Sequence, residues 1–368
     1  MEFVVPTLFG LEALTAKELR FMGYENVTVT DGRVLFSGDA SAAARANIRL
    51  RTGERVLFKV GSFHAETFDD LFEGTKALPW RDFLPKDAQF PVKGGSVRSK
   101  LFSVSDCQAI IKKAIVESMK KEYKIDWFQE TGDLYQVQFA IMKDEVTIML
   151  DLSGTGLRKR GYRPASNDAP LRETIAAGLV MLSGWRATEV LADPFCGSGT
   201  IPIEAAMWAR HIAPGLSRSF AGEKHAYLPK KIWEEEKERA KADIRDVDFV
   251  IFASDLDKNC VSLTDKNSTL AGVRENIRIT KRDATEFFSK TPGGCLICNP
   301  PYGERMGDKK EAEELYRGMG KAFLQLPEWR INVITAHEGF ERFFGKKSDK
   351  KRKLYNGMLK CYLYQYRT

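Results

Sequence analysis

The chain has 368 residues, of which 43% are hydrophobic and 29% charged, and it carries a formal net charge of +7. This balance excludes collagen-like, low-complexity and disordered classes, and the length predicts two or three domains. No stretch reaches the roughly 18 apolar residues of a membrane-spanning helix, and the start lacks a signal-peptide pattern, so we expect a cytoplasmic protein.

The first sixty residues predict a small α+β domain, residues 1–62. Strand-like and helix-like segments follow in the order strand, helix, strand, strand, helix, strand, which is ferredoxin-like. The two middle strands, 27–30 and 33–37, are joined by Asp31-Gly32, a dipeptide suited to a tight hairpin turn.

A second unit is predicted over residues 63–154, around a helix at about 105–123. Apolar residues repeat on one face of this helix at spacings of three and four: Ile111, Ala114, Ile115, Met119 and Tyr123. After it, segments 135–142 and 145–150 flank Lys143-Asp144 like a hairpin.

Cations on this second unit have two interpretations. Lys113 and Lys120 share a helix face, which a solvated surface would explain. Arg98 and Lys100 precede the helix, and several cations from one loop and helix can instead neutralise neighbouring phosphates. A basic linker, predicted over residues 155–168, adds three candidate cations: Arg158, Arg160 and Arg163.

Residues 169–368 predict a doubly wound α/β domain. A helix striped with leucine and isoleucine opens it, and strand-like segments at 189–192, 249–254, 277–280, 295–298, 331–336 and 360–366 then alternate with helices. This alternation indicates a mostly parallel sheet. We expect residues 230–245 to form an exposed inserted helix and residues 346–353 to form a basic loop.

A glycine-rich turn follows the first of these strands. In a doubly wound sheet, ligands bind outside the carboxyl ends of the strands, and glycines allow the backbone to approach them closely. The turn contains no Walker sequence and no complete dinucleotide fingerprint, and on its own a structural turn explains it equally well. It consists of Asp193, Pro194, Phe195, Cys196, Gly197, Ser198, Gly199 and Thr200.

Acidic residues end the next two strands. Asp255, followed by Leu256, is placed to accept ribose hydroxyls, and Asp283, followed by Ala284, to reach an adenine edge. Either acid alone is more often a helix cap. Because a glycine-rich turn and two acids end three successive strands, the pattern favours a cofactor that contains adenosine.

The fourth strand leads into the most specific motif, Asn299, Pro300, Pro301 and Tyr302. The amine of a nucleobase is a poor nucleophile because its lone pair is conjugated with the ring, so an enzyme must hold it with acceptors. The Asn299 side-chain oxygen and the Pro300 carbonyl can accept from it, and Tyr302 can stack on the base. Such a base must be unpaired or flipped out. The alternative is a proline-rich turn.

With these motifs, the chain resembles the THUMP-containing RNA guanine-N2 methyltransferases of the UPF0020 type, which modify bacterial 23S rRNA. Four segments carry the resemblance: 151–163, 169–173, 193–200 and 299–305. The resemblance implies S-adenosyl-L-methionine as methyl donor. It also implies a Rossmann-like class I methyltransferase domain with a seven-stranded sheet, whose last, antiparallel hairpin fits Asn356-Gly357. A ferredoxin-like plus THUMP unit that grips RNA would precede that domain.

The resemblance also implies roles for the site residues. Residues 193–200 would surround the methionine and sulfonium of the donor, Asp255 and Leu256 its ribose, and Asp283 and Ala284 its adenine. Leu171 would cover the donor, and Asn299, with the three residues after it, forms the catalytic motif. The amine would attack the methyl group directly, in line. Some bacterial relatives carry a second methyltransferase domain at the C-terminus that this sequence lacks, so we expect a single methylation.

Other sites are predicted less strongly. Six cysteines are too sparse for a secreted disulfide framework, and Cys295 and Cys298 have no second pair, so we expect reduced thiols and no metal site. The sequence therefore predicts methylation of a guanine N2 in 23S rRNA. The alternatives are guanine N2 in tRNA, adenine N6, or a non-catalytic RNA-binding assembly factor, and the oligomeric state stays open.

Overall fold

The computed structural model describes residues 1–164, 171–303 and 308–368. Parts of the predicted linker (165–168), of the segment 169–173 (169–170) and of the segment 299–305 (304–305) lie outside the described residues. Within the part of the chain that is described, no helix is both long enough and apolar enough to cross a membrane.

Residues 1–151 form one seven-stranded sheet with helices. Its elements are β1 (Glu2–Pro6), α1 (Glu12–Phe21), β2 (Val27–Thr30), β3 (Arg33–Ser37), α2 (Ser41–Arg49), β4 (Leu57–His64), α3 (Phe68–Lys76), β5 (Val92–Val97), α4 (Val104–Tyr123), β6 (Val137–Met142) and β7 (Glu145–Asp151). The strand order is β2-β3-β1-β4-β7-β6-β5. The predicted hairpin at Asp31-Gly32 joins β2 to β3, where Gly32 has a φ of +71°.

Strand β4 belongs to both of the predicted N-terminal units. One of its edges pairs with β1, at Phe3 opposite Phe58, and the other pairs with β7 from Leu57 to His64. The boundary that the sequence predicted between residues 62 and 63 therefore lies inside a strand. The predicted apolar face of α4 is buried, with Ile111, Ile115 and Met119 in the core beneath the sheet.

Residues 173–303 and 308–367 form a second seven-stranded sheet with helices. Its elements are α5 (Glu173–Ser183), β8 (Leu191–Asp193), α6 (Thr200–Ala209), α7 (Lys230–Ala242), β9 (Ile251–Asp255), α8 (Lys258–Leu270), β10 (Ile277–Lys281), β11 (Gly294–Cys298), α9 (Asp308–Phe323), β12 (Trp329–Thr335), α10 (Phe340–Phe344), β13 (Lys350–Asn356) and β14 (Leu359–Arg367). The order is β10-β9-β8-β11-β12-β14-β13. Strands β8 to β12 are parallel and β14 is antiparallel, which confirms the predicted doubly wound α/β fold with a final hairpin.

The expected basic loop at 346–353 is wrong in its second half. Residues 350–353 begin β13, the edge strand, and pair with β14. Lysines conceal the alternation of a strand, but Leu354 is buried, and charged side chains are common on exposed edges because they discourage pairing with another chain.

The inserted helix α7 is not simply exposed, as the sequence predicted. Trp233, Glu236 and Ala240 lie on one face at helical spacing and are buried against the N-terminal unit. Glu236 pairs there with Arg45, at 3.3 Å, and with Arg49, both on α2. The insertion thus fastens the second sheet's domain to the first.

Candidate active site

The glycine-rich turn after β8 is held in place from the neighbouring helix α8. Gly199 has a φ of +86°, and a Cβ atom there would lie 3.0 Å from Thr264. The Thr264 hydroxyl donates to the Gly197 carbonyl at 2.9 Å, and the Asn267 amide donates to the Ser198 carbonyl at 2.8 Å. Nothing local in the sequence marks Thr264 and Asn267, because only tertiary packing brings them to the turn.

The two acids that end the following strands have different surroundings. The Asp255 carboxylate accepts from the Gly197 N–H at 2.9 Å and from the Asp257 N–H at 3.0 Å, so it links β9 to the glycine-rich turn. The Asp283 carboxylate accepts from the backbone N–H and the hydroxyl of Thr285, at 2.8 and 2.7 Å. Asp283 therefore also caps the short helix Ala284–Glu286, which is the alternative role that the sequence analysis considered for it.

A cavity of about 680 Å³ opens at the carboxyl ends of these strands. It lies where the strand order reverses between β8 and β11, which is the usual ligand site of open α/β sheets. Every predicted cofactor and catalytic residue except Gly199 lines it: Leu171, Asp193, Pro194, Phe195, Cys196, Gly197, Ser198, Thr200, Asp255, Leu256, Asp283, Ala284, Asn299, Pro300, Pro301 and Tyr302. Gly199 shapes the turn behind the wall.

Further residues line the cavity without having been predicted. They are Ile201, Cys260, Gly303, Glu311, Ala312, Leu315, Asn356 and Leu359. Three of them lie on α9, whose helical pattern gives no sign of a ligand. Asn356 begins the turn of the last hairpin, and its Asn-Gly sequence was the one available signal.

Asp193 is a buried acidic residue in the wall of this cavity, and its carboxyl is only partly hydrogen-bonded. Its side chain is buried, one oxygen accepts only from the Phe195 N–H at 3.1 Å, and the other oxygen has no hydrogen-bond partner. Burial raises the pKa of Asp193 well above its usual range. A buried carboxylate in this state is suited to a ligand that brings a positively charged, hydrogen-bonding group.

The motif after β11 is braced by three side chains. The Tyr302 hydroxyl donates to the Asn299 side-chain oxygen. The Pro301 carbonyl accepts from the Tyr316 hydroxyl at 2.6 Å, and Thr335 lies 3.2 Å from the same hydroxyl. An amide oxygen has two lone pairs, so Asn299 keeps one for a substrate amine while Tyr302 fixes its orientation.

Two of the predicted RNA contacts in the linker are wrong, because their charges are buried. The Arg160 guanidinium, 2% exposed, lies 3.3 Å from Glu204, which also accepts from Tyr162 at 3.0 Å. Arg163 pairs with Glu173 at 2.9 Å and donates to the Thr200 hydroxyl at 2.7 Å, so it braces the start of α6. Arg158 remains partly exposed.

The other predicted RNA contacts lie on the surface of the N-terminal unit. Lys100 pairs with Glu66, and Lys120 lies 3.4 Å from Glu117. Arg98 and Lys113 are exposed and form no ion pair within the described part of the chain. These four cations stay predictions.

The described residues contain no cluster of cysteine, histidine or carboxylate side chains that could hold a metal ion. All six cysteines are buried, with Cys295 and Cys298 inside β11. No group of three or more potential metal ligands occurs among residues 1–164, 171–303 and 308–368.

Three family profiles match the chain. The RMKL-like methyltransferase domain, UPF0020, matches residues 160–365, the RlmL ferredoxin-like domain matches residues 2–57, and the THUMP domain matches residues 65–151.

Individual proteins match along the whole chain. YpsC of Bacillus subtilis, a candidate RNA methyltransferase, is 47% identical over 97% of this chain and 93% of its own. Ribosomal RNA large subunit methyltransferase K/L of Psychromonas ingrahamii is 33% identical over 100% of this chain, which spans about half (50%) of that relative's length. The solved structure of SMU.472, a candidate methyltransferase in complex with S-adenosylhomocysteine, has a TM-score of 0.93 and 38% identity, with 99% of this chain and 97% of that one covered.

Proposed function

The chain belongs to the RMKL-like methyltransferase family, UPF0020, so its C-terminal domain is an S-adenosylmethionine-dependent methyltransferase, and we propose that the chain methylates the N2 amine of a guanine in 23S rRNA. This membership confirms the resemblance found in the sequence. The observation that carries the proposal is one cavity in which the glycine-rich turn and the Asn299 motif face each other.

The cavity fits the cofactor by size and by charge. Ligand sites of this kind occupy about 300 to 1,000 Å³, and this one has about 680 Å³. The unpartnered Asp193 oxygen suits the ammonium group of the cofactor's methionine, and Asp255 lies where ribose hydroxyls could reach it. When bound there, S-adenosylmethionine supplies an electrophilic methyl group.

The residues of the motif hold the acceptor base. The Asn299 side-chain oxygen and the Pro300 carbonyl accept hydrogen bonds from the amine and so orient its lone pair. The Tyr302 hydroxyl holds the Asn299 amide, and its ring offers a face for the base. The methylated amine then loses its proton to water, so no side chain has to accept that proton, and positioning of the amine carries most of the rate.

RNA as the substrate class is supported by the THUMP domain and by the names of the relatives. The K/L relatives are named for large-subunit ribosomal RNA and are about twice as long as this chain. We propose that this chain methylates guanine N2 in a nucleotide that is unpaired or flipped out of its helix.

Substitution of Asn299 by alanine tests the catalytic assignment. We expect Asn299→Ala to lower kcat for methyl transfer into RNA about 100-fold or more, because the amine loses an oriented acceptor. Binding of S-adenosylhomocysteine, measured by calorimetry, should stay close to that of the wild type. The exposed Asn26→Ala, in the N-terminal unit, is the matched control and should keep full activity.

The substrate is identified in the same assay. RNA from cells that lack this gene is methylated with labelled donor, and ribosomal and transfer RNA fractions are digested to nucleosides. Label in N2-methylguanosine from 23S rRNA is the expected result. Label in tRNA or in N6-methyladenosine would replace the substrate, and RNA binding without any label would favour the assembly-factor alternative.

A further inference from the structure

One face of the hairpin β13–β14 carries lysine and tyrosine side chains that the site described above does not use. Lys353 pairs with Tyr362 and Tyr355 with Lys360 in the register of the two strands, and Lys351 lies two residues before Lys353. Because directly paired residues point to the same side of a sheet, all five share one face. We call Lys351, Lys353, Tyr355, Lys360 and Tyr362 the cation–tyrosine face.

The cations of this face lie over its rings. The Lys351 ammonium is 4.2 Å from the ring centre of Tyr362, that of Lys353 is 5.2 Å from Tyr355, and that of Lys360 is 5.6 Å from Tyr362. All three lysines are exposed and the two rings are partly exposed. Each lysine thus lies over an aromatic ring of the same face, and successive residues of one face along a strand are about 7 Å apart.

The charge of the face is compensated only in part, with Glu341 within electrostatic reach of Lys351. Lys351 and Lys353 form no ion pair with a carboxylate in the described ranges 1–164, 171–303 and 308–368. Lys360 lies 3.7 Å from Glu338, but Glu338 is 83% exposed, and surface pairs of this kind contribute little. A polyanion could therefore displace water rather than a protein partner.

The face starts beside the mouth of the cavity. Tyr355 and Lys360 are the chain neighbours of Asn356 and Leu359, which line the cavity wall. At its outer side, the Phe9 ring of the N-terminal unit lies 5.8 Å from the Tyr355 ring and is 53% exposed. The surface thus runs from the candidate active site to the first sheet's domain.

We propose that the cation–tyrosine face binds the single-stranded RNA next to the target base, the lysines contacting phosphates and the tyrosines stacking on bases. This inference rests on the proposed function, because a base that enters the cavity must leave its helix and drag its neighbours into single-stranded form. Proteins hold single strands without reading their sequence by combining a positively charged surface with aromatic rings on which bases stack.

Edge protection is the competing explanation for the lysines. Charges on an edge strand prevent pairing with another chain, and they do so from either face. Lys350 and Arg352 lie on the opposite face of the same strand, around a separate depression lined by Arg330 and Gln365. They offer a matched control with equal charge.

The test uses the full chain and a fluorescein-labelled oligoribonucleotide of about 12 nucleotides, with the dissociation constant measured by anisotropy at several salt concentrations. We expect the double variant Lys351→Ala/Lys353→Ala to bind at least tenfold more weakly. Its plot of log affinity against log salt should be shallower by about 0.7 for each lost phosphate contact. Lys350→Ala/Arg352→Ala should bind like the wild type.

A second pair of variants isolates stacking. Tyr355→Leu should weaken binding about fivefold with an unchanged salt slope, whereas Tyr355→Phe should bind like the wild type. Equal losses from the two double variants, or a wild type that does not bind the oligonucleotide, would overturn the inference. A wild type that binds the oligonucleotide through this face but methylates no RNA would contradict the proposed function and leave the face in place.

Discussion

At the scale of single residues, the buried Asp193 lowers the stability of the folded protein. Its carboxyl is 1% exposed, and one of its oxygens has no partner. Because burial raises its pKa above the unfolded value, its contribution favours folding at low pH and is lost as the pH rises through the folded-state pKa. Near neutral pH the buried Asp193 carboxyl is therefore a source of instability that a cationic ligand group would relieve.

Asp193→Asn separates these two effects. The amide keeps the acceptor for the Phe195 N–H but carries no charge, so we expect the melting temperature of the unliganded protein near pH 8 to rise by about 2 °C or more. The increase in melting temperature caused by S-adenosylhomocysteine should shrink, since the ammonium loses its counter-charge. The exposed Asp248→Asn should change neither quantity. An unliganded variant less stable than the wild type would contradict this account.

At the scale of elements, the turn between β8 and α6 combines backbone conformation with tertiary packing. Gly199→Ala places a Cβ atom in a left-handed conformation, 3.0 Å from Thr264 and 3.1 Å from Ile203. We expect the free energy of unfolding, from urea titration, to fall by about 1 to 3 kcal/mol, and cofactor affinity to fall with it. Gly95→Ala, where a Cβ atom has nothing within 4 Å, is the control and should leave both unchanged or slightly raise stability.

The sequence predicted those elements whose signals are local. The buried stripe of α4 follows from helical spacing, and the cavity-lining acids follow from their positions after apolar strands. Arg160 could not be assigned in this way, because its charge is neutralised by Glu204, which is 44 residues away. The bracing of the glycine-rich turn by Asn267 depends on packing in the same manner.

At the scale of the whole molecule, α7 joins the two sheets through Glu236. This carboxylate is 2% exposed and pairs with Arg45 and Arg49 of α2, whose side chains are 29% and 23% exposed. We expect Glu236→Ala to lower the free energy of unfolding by about 2 kcal/mol, because Arg45 loses the carboxylate it pairs with and Arg49 is left with its pair to the exposed Asp243. Glu234→Ala, exposed on the same helix, should stay within about 0.5 kcal/mol of the wild type in urea titration. Similar losses from both variants would show that helix content, not the ion pair, was measured.

Strand β4 has a mechanical consequence beyond its place in the sheet. It hydrogen-bonds to β1 on one edge and to β7 on the other, so the ferredoxin-like half and the THUMP half share one continuous sheet. The inserted helix α7 attaches this sheet to the catalytic domain through ion pairs. An RNA bound at the end of the first sheet that is farthest from the cavity would therefore reach the cavity at a fixed distance from its binding point. The protein would then select substrates by the distance between the target guanine and the RNA helix that the N-terminal unit binds.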